Sequence, residues 1–185
     1  MGGKQVRKVI VSNLMSLDGF FEGPNQELDW CVTDEEVFEY AKDLLRAADA
    51  LLFGRVTYQH MASYWPSAPA DEIADKMNNL AKIVFSRTLQ EVEWKNSRLV
   101  KNNITEEVSK LKQQPGKDLV ILGSASLASS LMQLGLIDEY RIVLNPVLLG
   151  SGTPLFKGIP GKIKLKLSRT KSFGSGVVVL YYQRA

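Results

Sequence analysis

The run Leu119-Val120-Ile121-Leu122-Gly123-Ser124-Ala125-Ser126-Leu127 carries the reading of the fold. Four consecutive apolar residues, with no polar alternation, describe a strand buried on both faces, as in a parallel sheet. Gly123-Ser124 breaks the run. Leu127, Leu131, Met132 and Leu134 then recur at helical spacing until Gly135. The same strand, turn, helix order repeats upstream. The β-branched run Val9, Ile10, Val11 is bounded by Ser12 and Asn13 and followed by a turn at Ser16-Leu17-Asp18-Gly19. Asp34 to Ala48 places Val37, Phe38, Ala41, Leu44, Leu45 and Ala48 on a helical period, with Thr33 or Asp34 as the cap. Ala50 to Phe53 is a strand stopped by Gly54, helices start at Arg55 to Thr57 and span Asp71 to Asn79, and Lys82 to Ser86 is a further strand. Thr105 to Lys112 is a helix broken by Pro115-Gly116.

Downstream the pattern changes. Tyr140 to Leu149, Ile163 to Phe173 and Val177 to Tyr182 read as strands with no helix between them, the last two joined through Gly174-Ser175-Gly176. They are expected to finish the sheet with antiparallel pairs. The expectation is therefore one α/β domain over residues 1–185, with helices on both faces of a mixed, mostly parallel sheet of about eight strands and an antiparallel C-terminal hairpin.

Composition bounds the function. The chain has 185 residues, 45% hydrophobic and 23% charged, which excludes a disordered tail or a disulfide scaffold and leaves a core that needs no staple. Lys plus Arg number 23 against 20 Asp plus Glu, a net charge of +3, with no basic run long enough to follow a nucleic-acid backbone. One cysteine, Cys31, and one histidine, His60, supply neither a disulfide nor a usual zinc ligand set. No signal-peptide stretch or bilayer-length apolar window is present, so a cytoplasmic protein without a membrane or nucleic-acid partner is expected.

In open α/β sheets, ligands bind beyond the carboxyl ends of the strands. Three such ends carry suitable residues. Gly54-Arg55-Val56-Thr57 sets a glycine, a guanidinium and a hydroxyl at a helix start, Ser86-Arg87-Thr88 repeats the hydroxyl and guanidinium, and Gly123-Ser124-Ala125 forms a small turn before a helix. Helix N-termini favour anions, and three anion-favouring ends suit a dinucleotide better than a single phosphate. Neither GxGxxG nor GxxxxGK[ST] occurs, so the ordinary Rossmann and P-loop readings fail. A GxSxG elbow is also lacking, which leaves His60 without a hydrolase triad. Tyr58, Tyr64 and Trp65 are candidates for an aromatic wall, or for core packing.

In order, Ser16-Leu17-Asp18-Gly19, Leu28-Asp29-Trp30, Phe53-Gly54-Arg55-Val56-Thr57-Tyr58, Val84-Phe85-Ser86-Arg87-Thr88, Leu122-Gly123-Ser124-Ala125 and Asn145 to Gly152 with Leu155-Phe156 make the chain resemble the dihydrofolate reductase fold, and within it the C-terminal reductase domain of the riboflavin biosynthesis protein RibD. The resemblance covers nearly the whole chain. It implies a three-layer fold, NADPH as hydride donor, and reduction of a small-molecule substrate: a phosphoribosylamino-pyrimidine of riboflavin biosynthesis, alternatively a pterin, with a non-catalytic NADPH-binding module as the reading from another class. Carried over by position, it implies Gly54, Arg55 and Thr57 at cofactor phosphates, Ser86 and Arg87 near the adenosine 2′-phosphate, Gly123, Ser124 and Ala125 against the pyrophosphate, and Asn13 and Leu14 beside the nicotinamide. Ser124 departs from the consecutive glycines usual in dihydrofolate reductases. The segment Met15 to Pro24 matches a loop that closes over the nicotinamide. Glu35 best matches the acid position after Trp30, with Asp34 and Asp18 as further candidates, although a first-turn acid is also what the helix dipole favours. The resemblance also implies a homodimer, for which Val143 to Leu149 is the apolar stretch on offer.

Overall fold

The computed structural model describes residues 6–159 and 161–185. In chain order the elements are β1 (Val9–Ser16), β2 (Phe20–Glu22), α1 (Glu35–Arg46), β3 (Ala48–Gly54), α2 (Arg55–Tyr64) running into one 3-10 turn (Trp65–Ser67), α3 (Glu72–Asn79), β4 (Ala81–Phe85), β5 (Ser97–Val100), α4 (Ile104–Gln113), β6 (Asp118–Leu122), α5 (Ala125–Gln133), β7 (Glu139–Asn145), β8 (Thr153–Pro154), β9 (Leu165–Ser172) and β10 (Val178–Arg184). The main sheet has eight strands in the order β5-β4-β3-β6-β1-β7-β10-β9, while β2 and β8 form a separate two-stranded ribbon. Three of these strands, β2, β5 and the two-residue β8, carry no long apolar run and escape a sequence reading. β5 is Ser97-Arg98-Leu99-Val100, held at an edge by parallel pairing to β4, and β2 has only three residues.

The C-terminal strands finish the sheet with the antiparallel pairs expected, β7 with β10 and β10 with β9. β7 pairs parallel with β1, from Ile10↔Glu139 to Ser16↔Asn145, because the crossover through α5 returns the chain in the same direction. Only β10 is antiparallel to both of its neighbours, lying between β7 and β9. Pro146, which has no N–H to give a ladder, follows the end of β7. The expected dimer stretch Val143 to Leu149 is accordingly a central strand and its exit. Val143 is buried and paired on both sides, and among the large hydrophobic residues of the stretch Leu148 is the exposed one.

Side chains of β1, β3 and β6 alternate between two cores. Val9, Val11, Leu52, Leu119 and Ile121 pack with α4 and α5 through Val108, Leu111, Leu127 and Leu131. Ile10, Leu51, Phe53 and Val120 pack on the other face with Leu44, Leu45, Tyr58 and Met77 of the first three helices. Each such side chain taken out of water contributes roughly 1.5–3 kcal/mol. One charge is buried among them. The fully buried Lys82 donates from Nζ to the carbonyls of Met77 (2.9 Å), Asn78 (3.0 Å) and Leu80 (2.8 Å), closing the C-terminal end of α3, and lies 4.3 Å from the centre of the Trp94 ring. Burial pushes its ammonium pKa down to about 8, with Lys95 adding repulsion.

Candidate active site

The carboxyl ends of β5, β4, β3, β6 and β1 are successive neighbours in the sheet. At ~4.8 Å per strand they span about 19 Å. A cavity of about 1200 Å³ runs across all five ends. Lys101, Asn102 and Asn103 line it after β5, Ser86 and Arg87 after β4, Gly54, Arg55 and Thr57 after β3, Gly123, Ser124 and Ala125 after β6, and Asn13 and Leu14 at β1. The ten residues expected to meet a cofactor are thus brought together along one crevice.

The helices that open on the crevice differ from those that do not. α1 is capped by Asp34, which accepts from the Val37 N–H at 2.8 Å, and α3 by Asp71, which accepts from the Ala74 N–H at 2.7 Å. α2, α4 and α5 begin at Gly54, Asn103 and Ser124, and none of these supplies a side-chain cap. Their first N–H groups therefore lack the usual internal acceptor and carry the positive end of each helix dipole. The Ser124 hydroxyl is engaged elsewhere. It accepts the Gly54 N–H at 3.0 Å, while the Ser124 N–H donates to Thr57 Oγ1 at 2.9 Å, so the β3–α2 and β6–α5 turns interlock. Gly123 (φ +64°) and Ser124 (φ +52°) are both left-handed. A Cβ on Gly123 would stand 2.9 Å from Thr57 Cγ2, so only glycine fits there, whereas Ser124 keeps the same backbone shape and adds the hydroxyl bridge.

Charge reinforces the dipoles. Arg55, Arg87, Lys101 and Lys157 line the cavity with no carboxylate ion partner among the described residues. Arg55 donates to Gln59 Oε1 (3.0 Å) and Lys101 to Gln90 Oε1 (3.3 Å). Ser86 Oγ accepts the N–H groups of Thr88 (3.2 Å) and Leu89 (3.0 Å), shaping the turn that presents the exposed Arg87. At β1 the side chain of Asn13 is 2% exposed, and among the described residues neither its Oδ1 nor its Nδ2 has a hydrogen-bond partner. A buried amide without partners costs about 1–3 kcal/mol, which a ligand amide in the crevice would relieve.

The three candidate acids lie elsewhere; none lines the cavity. Asp18 accepts from Ser16 Oγ (2.7 Å) and from the N–H groups of Leu149 (3.1 Å) and Gly150 (2.7 Å), tying the loop after β1 to the loop after β7. The Ser16 hydroxyl and the Gly150 N–H hold its carboxyl below the usual range. Asp34 caps α1, and the Ser175 hydroxyl together with the Val37 N–H likewise holds it low. Glu35 is an exposed first-turn residue of α1. Of the aromatic candidates, Tyr64 and Trp65 line the cavity, while Tyr58 is core, its hydroxyl accepting the Trp94 N–H at 3.0 Å. A sequence reading misses Glu22, Gln26 and His60, which also line the cavity. His60 is recoverable, since it lies three residues beyond Thr57 on the same helix face. Glu22 is not, because its strand is too short to read.

A mixed sheet with helices on both faces, crossed at its strand ends by one long crevice, places the protein in the class of dihydrofolate reductase-like α/β folds. The RibD C-terminal domain family model matches residues 7–179, and the chain belongs to that family. The uncharacterized protein YyaP of Bacillus subtilis (strain 168) is 39% identical over 180 residues, covering 95% of this chain and 94% of that protein. A provisionally assigned riboflavin biosynthesis protein of Shewanella sp. PV-4 superposes with a TM-score of 0.77 at 23% identity, over 96% of this chain and 99% of that one. The diaminohydroxyphosphoribosylaminopyrimidine deaminase/5-amino-6-(5-phosphoribosylamino)uracil reductase of Thermotoga maritima gives 0.70 at 14% identity, over 98% of this chain and 58% of that one. Dihydrofolate reductase of Enterococcus faecalis, solved with NADP(H) and RAB-propyl, gives 0.64 at 14% identity, over 96% of each chain.

Proposed function

We propose that the protein is an NADPH-dependent reductase of a small heterocyclic substrate, with a phosphoribosylamino-pyrimidine of the kind named for the Thermotoga maritima relative as the first candidate and a pterin as the second. The observation that carries this reading is the crevice itself. Three uncapped helix N-termini lie along it with Arg55, Arg87 and Lys101, which have no carboxylate partner among the described residues, and the orphaned Asn13 amide lies at its end. The donor set fits an extended dinucleotide carrying phosphates in the middle and at one end, with an amide-bearing ring at the other. When bound, the nicotinamide supplies the hydride.

The chain's own residues supply position and field. The N–H groups at the starts of α2 and α5, with Arg55, hold the pyrophosphate, and the Ser124 bridge keeps the two turns in register. Arg87 and Lys101 meet the 2′-phosphate at the β4 and β5 ends. Asn13 pairs its free carbonyl and amino groups with the carboxamide of the ring. Phe21 on β2 reaches toward the Gly123 turn, so β2 covers the crevice and excludes water from the reacting ring. Titrating NADPH and NADH into the wild-type protein tests the reading. Tighter binding of NADPH is expected, and equal or absent binding of the two would refute it.

We also propose that the protein pairs with a second copy through the β9 edge. Leu165 and Leu167 on β9 are exposed together with Phe156 and Ile159, next to an apolar cavity of about 440 Å³ reaching Met132 and Tyr140. Contiguous exposed apolar side chains of this kind mark interaction surfaces.

A further inference from the structure

We infer that Glu22, on the ribbon that covers the crevice, is the residue that hands a proton to the reduced substrate. The inference rests on the reductase reading above and assigns the acid within that site. It begins by elimination. Most carboxylates of the described chain are occupied by hydrogen bonds or ion pairs, Asp18, Asp34 and Glu36 among them. Asp29, Glu35, Glu91 and Glu93 have no such partner among the described residues, and none of them lines the cavity. Glu22 has no side-chain partner among the described residues and does line it, as the only carboxylate there.

Its position is built. Phe20 pairs with Pro154 and Glu22 with Thr153, so Phe21 is the extra residue of a β-bulge. A bulge breaks the alternation of a strand, which is how the consecutive Phe21 and Glu22 both reach the cavity lining. Gly152, at φ +150°, lets β8 approach: a Cβ there would collide with the Glu22 carbonyl oxygen. The Phe21 ring, within van der Waals reach of a Cβ built on Gly123, sets the ribbon against the β6–α5 turn, near Asn13 in the neighbouring strand.

The step balances with these groups. A hydride, with its electron pair, leaves the dihydronicotinamide for the carbon of a C=N bond in the substrate. The π pair of that bond moves to nitrogen and takes the proton from the Glu22 carboxyl. The nicotinamide is oxidised, the C=N bond becomes CH–NH, and the Glu22 carboxylate regains a proton from solvent. Among the other groups lining the cavity that could carry a proton to the substrate, His60 and Tyr64 on α2 are the alternatives.

The test compares Glu22→Gln, Glu35→Gln and His60→Asn in the full chain. NADPH affinity is measured first, then NADPH oxidation with 5-amino-6-(5-phosphoribosylamino)uracil and with dihydrofolate across pH. General acids contribute about 10²–10⁴-fold. Glu22→Gln is therefore expected to lower kcat at least about 100-fold, to leave NADPH affinity within about twofold, and to remove the pH-dependent limb of kcat expected of the wild type. A merely structural role for Glu22 would leave that limb in place, which would overturn the inference. So would full activity in Glu22→Gln, a comparable loss confined to Glu35→Gln or His60→Asn, or a wild type that binds NADPH and reduces neither probe. A wild type that fails to bind NADPH instead refutes the reductase reading itself.

Discussion

Replacing Lys82 with methionine tests the buried charge, and its effect should depend strongly on pH. Methionine keeps most of the stem volume and removes the ammonium. The Met77 and Leu80 carbonyls then lose the donor that Lys82 gave them at 2.9 and 2.8 Å. At about 1–3 kcal/mol for each of these two groups left unpaired, the loss is about 2–6 kcal/mol. Against this stands the cost of burying the charge. A fall from 10.5 to about 8, at 1.36 kcal/mol per pKa unit, is about 3 kcal/mol. Near pH 7 the burial cost offsets much of that loss, so the substitution should change stability by no more than about 3 kcal/mol. The sign follows from linkage: the folded pKa lies below the unfolded one, so between pH 8 and 10.5 the unfolded chain binds more protons and wild-type stability rises with pH. By pH 10 about 2.5 kcal/mol of the burial cost is recovered, so the variant should fall behind the wild type by about that much more than at pH 7. Tyr40, raised by burial to about 12, works in the opposite direction once unfolded tyrosine ionises near 10, so the comparison stops there. Urea unfolding followed by tryptophan fluorescence at pH 7, 8, 9 and 10 reads the difference, since Trp94 sits against the ammonium. A pH-independent difference between the two proteins would refute the reasoning.

Arg87→Ala should weaken NADPH binding about tenfold and leave NADH nearly unchanged, since one solvent-screened charge-assisted contact to the 2′-phosphate is worth about 1.4 kcal/mol; calorimetric titration of both nucleotides checks it. Ser124→Ala leaves the Gly54 N–H without its acceptor while keeping a Cβ at φ +52°, so thermal unfolding should show a loss of about 1–3 kcal/mol. Ser124→Gly, which removes the hydroxyl and relaxes the backbone, should lose less. Sedimentation at micromolar concentration should give twice the chain mass of 20.6 kDa, and Leu165→Lys with Leu167→Lys should return the protein to that single-chain mass.

Features that depend only on neighbours along the chain are legible in the sequence. The unbroken apolar run from Leu119 to Leu122 has no solvent face to offer, so it had to be an interior parallel strand, and the glycine after it had to end that strand. Asp34, followed by a helical period of apolar residues, had to begin a helix. Because ligands meet such sheets at strand ends, the residues just after those strands, Gly54 to Thr57, Ser86-Arg87 and Gly123 to Ala125, could be picked out before their arrangement was known, and they do share one crevice. Contacts between distant segments settle the rest. β7 runs parallel to β1 because of where its crossover returns it, which no local pattern encodes. Asp18 and Asp34 look like catalytic carboxylates until their partners, Gly150 and Ser175 more than a hundred residues away, are seen to occupy them. Glu22 looks like a loop residue until Thr153 pairs with it, because three residues form a strand only when another segment supplies the hydrogen bonds.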